Sequence, residues 1–465
     1  MSAHPPRFVA VIDVGKTNAK LALHDLAAGQ DIFVATTPNT VLRDGPYPHA
    51  DTERLWRFLL AALAECARAH AIDAISITTH GACVALVDDD GLVLPILDYE
   101  SAAPESLRAD YDRLRPPFSQ TCSPRLPNGL NVGAQLYWQE QTFPQAFARA
   151  RRILFYPQYW AWRLTGVAAC EVTSLGCHTD LWRPVEGGVS ALATQRGWDR
   201  LLAPMRSAFD VLGPLKPAWA DAIGMSGRKI PVHCGIHDSN ASLLPYLRAT
   251  PAPVTVLSTG TWIIALAVGG ATRRLDPRRD TLANVDAFAR AVPSARFMGG
   301  REFDALTITG TVSPTPADIA AVLDGAVMAL PSFAPGTGPY PDAAGTWTHD
   351  PAQLTLGQRT AAASLYCALM TARMLEILDA GGGTIVEGPF ARNRVFLDAL
   401  ATLTGRPVTA STGFAGTTTG CAQLATRPGD FGRMSDGAVS TRAAAPDARI
   451  AAYARRWQER AATGA

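Results

Sequence analysis

One carboxylate in a run of small and polar residues is the first group in this sequence set for chemistry: Asp238, within Cys234-Gly235-Ile236-His237-Asp238-Ser239-Asn240. Asp238 is placed to accept a proton and Asn240 to hydrogen-bond a hydroxyl. The plainer reading is that Asp238 caps a helix beginning at Ser239 or Asn240. The two roles are compatible. A helix N-terminus raises the local positive potential and keeps a carboxylate ionised, as a base acting on a hydroxyl must be at neutral pH. A second carboxylate, Asp13, closes the apolar run Phe8-Val-Ala-Val-Ile.

Asp13 leads into the turn Val14-Gly15-Lys16-Thr17-Asn18, and the outline returns far downstream as Val256-Leu-Ser258-Thr259-Gly260-Thr261. Each is a strand, a small polar residue, a glycine, then hydroxyl or amide groups, then a second apolar strand. Such hairpins present backbone N–H groups and hydroxyls at their tips, and glycine lets the backbone approach a phosphate closely. Glycine-tipped hairpins are common, so the pair also fits two unrelated turns. Phosphoryl transfer asks for little covalent help: a nucleotide held by dipoles, a metal, and a base beside the attacking hydroxyl. The chain has no G-x-x-x-x-G-K-[ST] loop and no protein-kinase signature set. Any bound ATP must rest on other turns, and those at Gly15 and Gly260 are the candidates. Asp13 would then hold Mg²⁺ directly or through water. Lys16 and Lys20 could neutralise phosphate charge; the plainer reading of both, and above all of Lys20, is solvated surface.

The elements that must position these groups follow from periodicity. Phe8–Asp13 and Ala19–His24 read as strands, Thr52–His70 as a helix capped by Thr52, and Ala74–Thr79 and Cys83–Val87 as strands again. Ser101–Asn131 is rich in proline and glycine and reads as an excursion that covers something; Gln145–Leu164 returns to a helical pattern. Pro245–Pro253 reads as a domain boundary, dividing the chain into 1–247 and 248–465. Val254–Val268 restarts a strand–turn–strand. Thr360–Ala380 is a long apolar helix before Gly381-Gly-Gly383, Thr384–Glu387 a short strand, Arg394–Leu403 an amphipathic helix, and Ala448–Ala462 a last helix. Alternating strands and helices of this kind make an α/β fold with mixed sheets.

The 465 residues exceed what one core serves, and 48% apolar with 18% charged residues exclude disorder. A net charge of +1 gives no basic face, so nucleic acid is not an expected partner. Eight cysteines without a C-x-x-C pair read as reduced, buried thiols in a cytoplasmic protein. The first apolar run meets Asp13 and Lys16 too soon for a signal peptide, and Val254–Val268 is too short to span a membrane.

Taken in order, Phe8–Lys20, Gly235–Asn240, Thr255–Leu266 and Gly381–Val408 resemble the FGGY family of carbohydrate kinases, over about Phe8 to Leu424. Leu164-Thr-Gly166 with Glu171-Val-Thr173-Ser174 resembles the family's L-T-G…E-x-T-x-x-S stretch, and His80-Gly81 resembles a Q-x-H-G sugar-site segment. The resemblance implies an actin/hexokinase-like, ribonuclease H-like ATPase fold in two lobes with a central cleft, ATP with Mg²⁺, and transfer of the γ-phosphate to a small sugar. It implies Asp238 as catalytic base and Asp13 as metal ligand. Gly15, Lys16, Thr17, Asn18 and Lys20 would serve the first phosphate loop, and Ser258, Thr259, Gly260 and Thr261 the second. Gly388 and Asn393 resemble the adenosine-side loop, while His80, Gly81, Glu100, His237 and Asn240 would meet the sugar. Gly-Ile-His-Asp with Leu-Ser-Thr-Gly-Thr-Trp is most similar to rhamnulokinases, which implies an L-series ketose such as L-rhamnulose or L-fuculose; ribulose, xylulose, erythrulose and glycerol stay open, and a homodimer is compatible with this reading.

The sequence departs from the family at three places. Lys16 stands where threonine is frequent, Leu97-Asp98-Tyr99-Glu100 where L-W-N-D is frequent, and Phe414–Ala422 where E-A-T-x-x-G-A-A is frequent. Arg301, in Gly299–Phe303, reads either as a phosphate-side residue or as part of a surface turn with an ion pair. Tyr156, Tyr159, Trp160 and Trp162 read as core sooner than as a sugar platform. The competing class is an actin-fold ATPase without a metabolic substrate, which would share both hairpins but not need His80, Glu100 and Asn240.

Overall fold

The computed structural model describes residues 5–411, 416–426, 439–443 and 447–463. The chain forms two compact units. The boundary falls after Ala249, and Ala283–Ala291 and the described residues Gly416–Thr426 belong with the N-terminal unit. The expected division at 247/248 therefore misses two returns of the chain.

In the N-terminal unit, strands β1 (Phe8–Val14), β2 (Asn18–Asp25) and β3 (Gln30–Pro38) form an antiparallel meander. Helix α1 (Thr52–Ala69) is capped by Asp51, whose carboxylate accepts the Arg54 N–H at 3.0 Å, so Thr52 is the first helical residue and not the cap. The next strand, β4 (Ala74–Thr79), runs parallel to β1. Val84–Val87 (β5) pairs with Arg152–Phe155 (β6), so the span expected as one helix from Gln145 is broken by a strand before α2 (Tyr156–Thr165). Pairing with β5 overrides local helical periodicity there. The sheet is completed by β7 (Val211–Pro214), β8 (Pro231–His233) and β9 (Ile236–His237), and α3 (Asp238–Ala249) leaves directly from β9. The strand order is β3-β2-β1-β4-β8-β7, with β9 also on β4. Tyr156, Tyr159 and Trp160 are buried in the core, as the sequence favours.

Apolar residues of β1, β4, β9 and α3 form a small second core that also takes in Cys421, Ala422 and Leu424. That is why helix Thr417–Ala422 returns to the N-terminal unit. Gly420 lets it lie flush on α3, since a Cβ there would stand 1.7 Å from the Ala241 carbonyl oxygen. Phe414 and Ala415, which open this departure from the family pattern, lie outside the described residues.

The C-terminal unit repeats the opening theme. Strands β10 (Val254–Thr259) and β11 (Ile263–Val268) form an antiparallel hairpin, followed by β12 (Ala291–Phe297) on β11 and α4 (Gly299–Leu306). Gly299–Phe303 is thus helical, not a turn. Arg301 is exposed, whereas Glu302 is buried and accepts from the Phe333 N–H and the Tyr366 hydroxyl. Helix α5 (Leu356–Ile377), capped by Thr355, fills the core, and β13 (Gly383–Glu387) runs parallel to β10. α6 (Arg394–Thr404), β14 (Val408–Ser411), β15 (Val439–Arg442) and α7 (Ala448–Thr463) complete the unit. In both units, a hairpin followed by a parallel third strand makes the duplication visible in topology.

Candidate active site

Asp238 sits where β9 becomes α3, and the sequence dictates that junction. Gly235 at φ +90° takes a backbone conformation side chains disfavour, and a Cβ there would press to 2.9 Å on the Ile77 carbonyl oxygen. The two strand residues Ile236–His237 then pair with Thr78–Thr79 of β4, and the helix starts at once. Asp238 is partly exposed, and its Oδ1 receives the Ser239 N–H at 2.6 Å and lies 3.1 Å from His237 Nε2. Burial lowers the His237 pKa, so the imidazole is neutral. A proton on Nε2 lets the ring donate to Asp238, while Nδ1 accepts the Asn240 amide at 3.5 Å. The Ser239 hydroxyl also donates to Asp238 Oδ1, at 3.3 Å, so all three of these contacts fall on that oxygen.

His237 is itself held from behind. Its backbone N–H donates to Thr173 Oγ1 at 3.0 Å, and that hydroxyl donates to Glu171 Oε2 at 2.6 Å. Glu171 is fully buried and also accepts the Thr173 N–H at 3.0 Å; burial pushes its carboxyl up to about 7. The E-x-T stretch was legible as a family motif, yet its place directly behind His237 was not.

Asp13, next to last in β1, pairs with Lys20, whose Nζ lies 3.6 Å from its Oδ2. Burial pushes the Asp13 carboxyl up to about 6; Lys20 opposes the rise and the charge of Asp238 adds to it. The two carboxylates are therefore electrostatic neighbours. Lys20 also donates to Thr418 Oγ1, so it is an anchored internal cation, not solvated surface. Thr418 had no local signal, being 398 residues away in sequence.

Among the described residues, no three His, Cys, Asp or Glu side chains gather into a metal cage. The donor set still suits magnesium, which binds through one or two carboxylates and keeps several waters. Asp13 and Asp238 repel each other with only Lys20 beside Asp13, and a divalent cation would relieve that repulsion.

The Gly15 turn closes on itself through Gly15 N–H to Asn18 O at 2.9 Å, and Asn39 braces it with its amide on Gly15 O at 2.8 Å. Thr17 and Asn18 are exposed at the tip. Lys16 turns the other way. Its ammonium bonds Asp98 Oδ1, lies 3.3 Å from Glu100 Oε2, and stands 4.7 Å over the Tyr99 ring. Sequence reasoning chose Glu100 from this segment and overlooked Asp98, the more buried partner. His80 packs between Tyr99 and Tyr156 with ring centroids 5.4 and 5.3 Å away, and burial lowers its pKa. Gly81 lies against His237; a Cβ would come within 2.7 Å of Nε2. The N-terminal unit thus brings together Asp13, Gly15, Lys16, Lys20, His80, Gly81, Glu100, His237, Asp238 and Asn240.

In the C-terminal unit, Ser258 and Thr261 are exposed at the β10–β11 tip, and Gly260 N–H closes the turn on Trp262 O at 2.9 Å. A Cβ on Gly260 would meet nothing within 4 Å, so that side of the turn is open, while the Gly260 carbonyl packs closely on Gly300. Thr259 is buried and occupied otherwise: its hydroxyl donates to Glu387 O and accepts the Phe390 N–H at 3.2 Å. Gly388, at φ +82°, crosses β10 so closely that a Cβ would sit 1.9 Å from Thr259 O. Asn393 caps α6 by accepting the Phe396 N–H at 3.1 Å and donates to Ser364 at 2.9 Å. The Thr259 and Asn393 side chains thus hydrogen-bond within the loops they shape.

Duplicated hairpin-and-crossover units with paired carboxylates on the first define the actin/hexokinase-like class of ATPase folds. Residues 8–245 match the N-terminal domain of the FGGY family of carbohydrate kinases, and residues 251–433 match the carbohydrate kinase FGGY C-terminal domain. The chain belongs to the FGGY family and is a carbohydrate kinase. It is similar to a carbohydrate kinase from Novosphingobium aromaticivorans at 38% identity and TM-score 0.90, covering 99% of each chain. The xylulose kinase from Rhodospirillum rubrum shares the fold at 21% identity and TM-score 0.77 over 98% of this chain and 99% of that one. Plasmodium falciparum glycerol kinase with ADP shares it at 12% identity and TM-score 0.78 over 98% of each. No curated protein sequence matches the chain. The rhamnulokinase expectation gains no support from these neighbours, which include xylulose, gluconate and glycerol kinases.

Proposed function

We propose that this carbohydrate kinase transfers the γ-phosphoryl group of ATP to a hydroxyl of a small ketose or polyol, with Asp238 as the base. The observation that carries the reading is the fixing of Asp238 Oδ1 by Ser239 N–H and His237 Nε2, at 2.6 and 3.1 Å. Oδ2 is then the oxygen for the substrate proton. A neutral His237 adds no positive charge that would weaken the base. His80 and Asn240 supply polar groups beside it, and Tyr99 an aromatic face of the kind that lies against carbon-bound hydrogens.

The turn at Gly15–Asn18 in the N-terminal unit and the turn at Ser258–Thr261 in the C-terminal unit each carry exposed hydroxyl or amide side chains suited to phosphate. Lys20, anchored by Asp13 and Thr418, supplies fixed positive charge without reorganising. Asp13 is the residue that would hold Mg²⁺, which when bound offsets phosphate charge. The eight cysteines are free and buried, which suits a cytoplasmic setting. Among the described residues, no helix is long and apolar enough to cross a membrane.

The test is ADP formation by purified protein against L-rhamnulose, L-fuculose, ribulose, xylulose, erythrulose, glycerol and gluconate. A kinase of this class releases ADP in proportion to one of them. ADP release independent of every acceptor points instead to an actin-fold ATPase without a metabolic substrate.

A further inference from the structure

Lys16 lies in the turn expected to carry phosphate, yet its side chain serves another partner. Asp98 is almost wholly buried, and Lys16 is the cation that neutralises it. Asp98 Oδ1 also accepts the Glu100 N–H at 3.3 Å, so the same carboxylate shapes the backbone that presents Glu100. Glu100 is the exposed member, with 64% of its side chain open, and lies 3.3 Å from Lys16. Tyr99 lies between them, its ring under the ammonium and against His80. The charges of both Lys16 and Asp238 act on His80, which places this cluster beside the base and not out on the surface. Turning Lys16 toward a phosphate would strand a buried carboxylate.

Resting on the kinase reading above, we propose that Lys16 is a specificity-determining residue for the acceptor, not for the nucleotide, and that its cluster with Asp98, Tyr99 and Glu100 selects neutral vicinal diols over carboxylate-bearing sugar acids. The chemistry follows from the groups. An ammonium has three N–H donors and no acceptor. With two directed at Asp98 and Glu100, the third can donate to a hydroxyl oxygen, and Glu100 can accept the proton of the adjacent hydroxyl. One cation and two carboxylates leave the cluster with a net negative charge, so an aldonate is repelled while an uncharged ketose or polyol is not. A threonine at position 16 would be too short to reach Asp98 in the same way.

The experiment measures KM for acceptor and ATP separately in wild type, K16M and D98N, with thermal shifts for glycerol, xylulose, L-rhamnulose and gluconate. Loss of a hydrogen bond to a charged group predicts that KM for the neutral acceptor rises on the order of 10–100-fold in K16M while KM for ATP holds. D98N, which removes the anchor and leaves Lys16 in place, should move the same parameter and serves if K16M folds poorly. Neutral acceptors should stabilise the wild-type protein and gluconate should not. A rise in KM for ATP alone, unchanged constants in both variants, or stabilisation by gluconate overturns the assignment. Binding of a neutral acceptor that depends on Lys16 but leads to no ADP would instead sink the kinase reading and leave this one standing.

Discussion

Replacing Gly81 by alanine adds one methyl group against the His237 ring that contacts Asp238. Its Cβ would stand 2.7 Å from His237 Nε2, 3.1 Å from Cδ2 and 3.5 Å from Cε1. Restoring the 3.4 Å of ordinary contact requires the ring to retreat by about 0.7 Å. The ring has little room: His237 is 5% exposed, its backbone is tied to Thr173, and Asn240 lies on its far nitrogen. Retreat therefore disturbs the 3.1 Å contact to Asp238 Oδ1. Overpacking of this size costs about 1–3 kcal/mol, which lowers Tm by a few degrees. A misplacement approaching 1 Å at a reacting group costs up to about 10²-fold in rate, so kcat should fall roughly 10–100-fold. KM for ATP should stay put, because His237 is not among the residues proposed to hold the nucleotide. Steady-state kinetics and a thermal melt on G81A check all three values. A variant with wild-type kcat and wild-type Tm would refute the claim that His237 orients the base.

Gly260 gives the opposite pattern. Nothing lies within 4 Å of an added Cβ, so G260A should melt like wild type yet raise KM for ATP by crowding the phosphate approach; equal KM would remove this turn from nucleotide binding. Gly388→Ala should destabilise the protein by more than a surface change can, since its Cβ would collide with Thr259 O at 1.9 Å in a backbone conformation of φ +82°; a melt unchanged from wild type would contradict the loop geometry. Glu171→Gln tests the buried carboxyl through pH. Its pKa is raised on folding from 4.5 to about 7 by burial, so the stability it contributes is complete below pH 4.5 and is lost as pH climbs through 7. Wild type should therefore lose Tm relative to E171Q across that window, and parallel curves would show that Glu171 is not buried as described.

Much of the candidate site is legible in the sequence because it is carried by short contiguous runs. The hairpin Phe8–Asp25 and its echo at Val254–Val268 declare themselves through apolar strands around a glycine, and Gly235–Asn240 through its crowding of glycine, imidazole, carboxylate and amide. What stayed hidden depends on distant pairing. The strand Arg152–Phe155 reads as helix until Val84–Val87 is seen to pair with it. Thr418 reaches Lys20 only because a late helix returns to the first unit, where Gly420 allows close packing that no local pattern announces. Lys16 was legible as a cation and not as a partner of Asp98, because the direction of a long side chain is set by what it finds in the fold. Thr259 and Asn393 illustrate the converse: residue types that suit a ligand also hydrogen-bond within the loops they shape.

Asp238 is the proposed acceptor of the substrate hydroxyl's proton, and D238N removes that capacity. The amide keeps the shape and cannot take the proton. Acceptor-dependent ADP formation should fall on the order of 10²–10⁴-fold, the scale of general-base catalysis, while ATP still protects the variant in a thermal melt. A D238N enzyme that turns over its sugar at the wild-type rate would contradict the assignment outright.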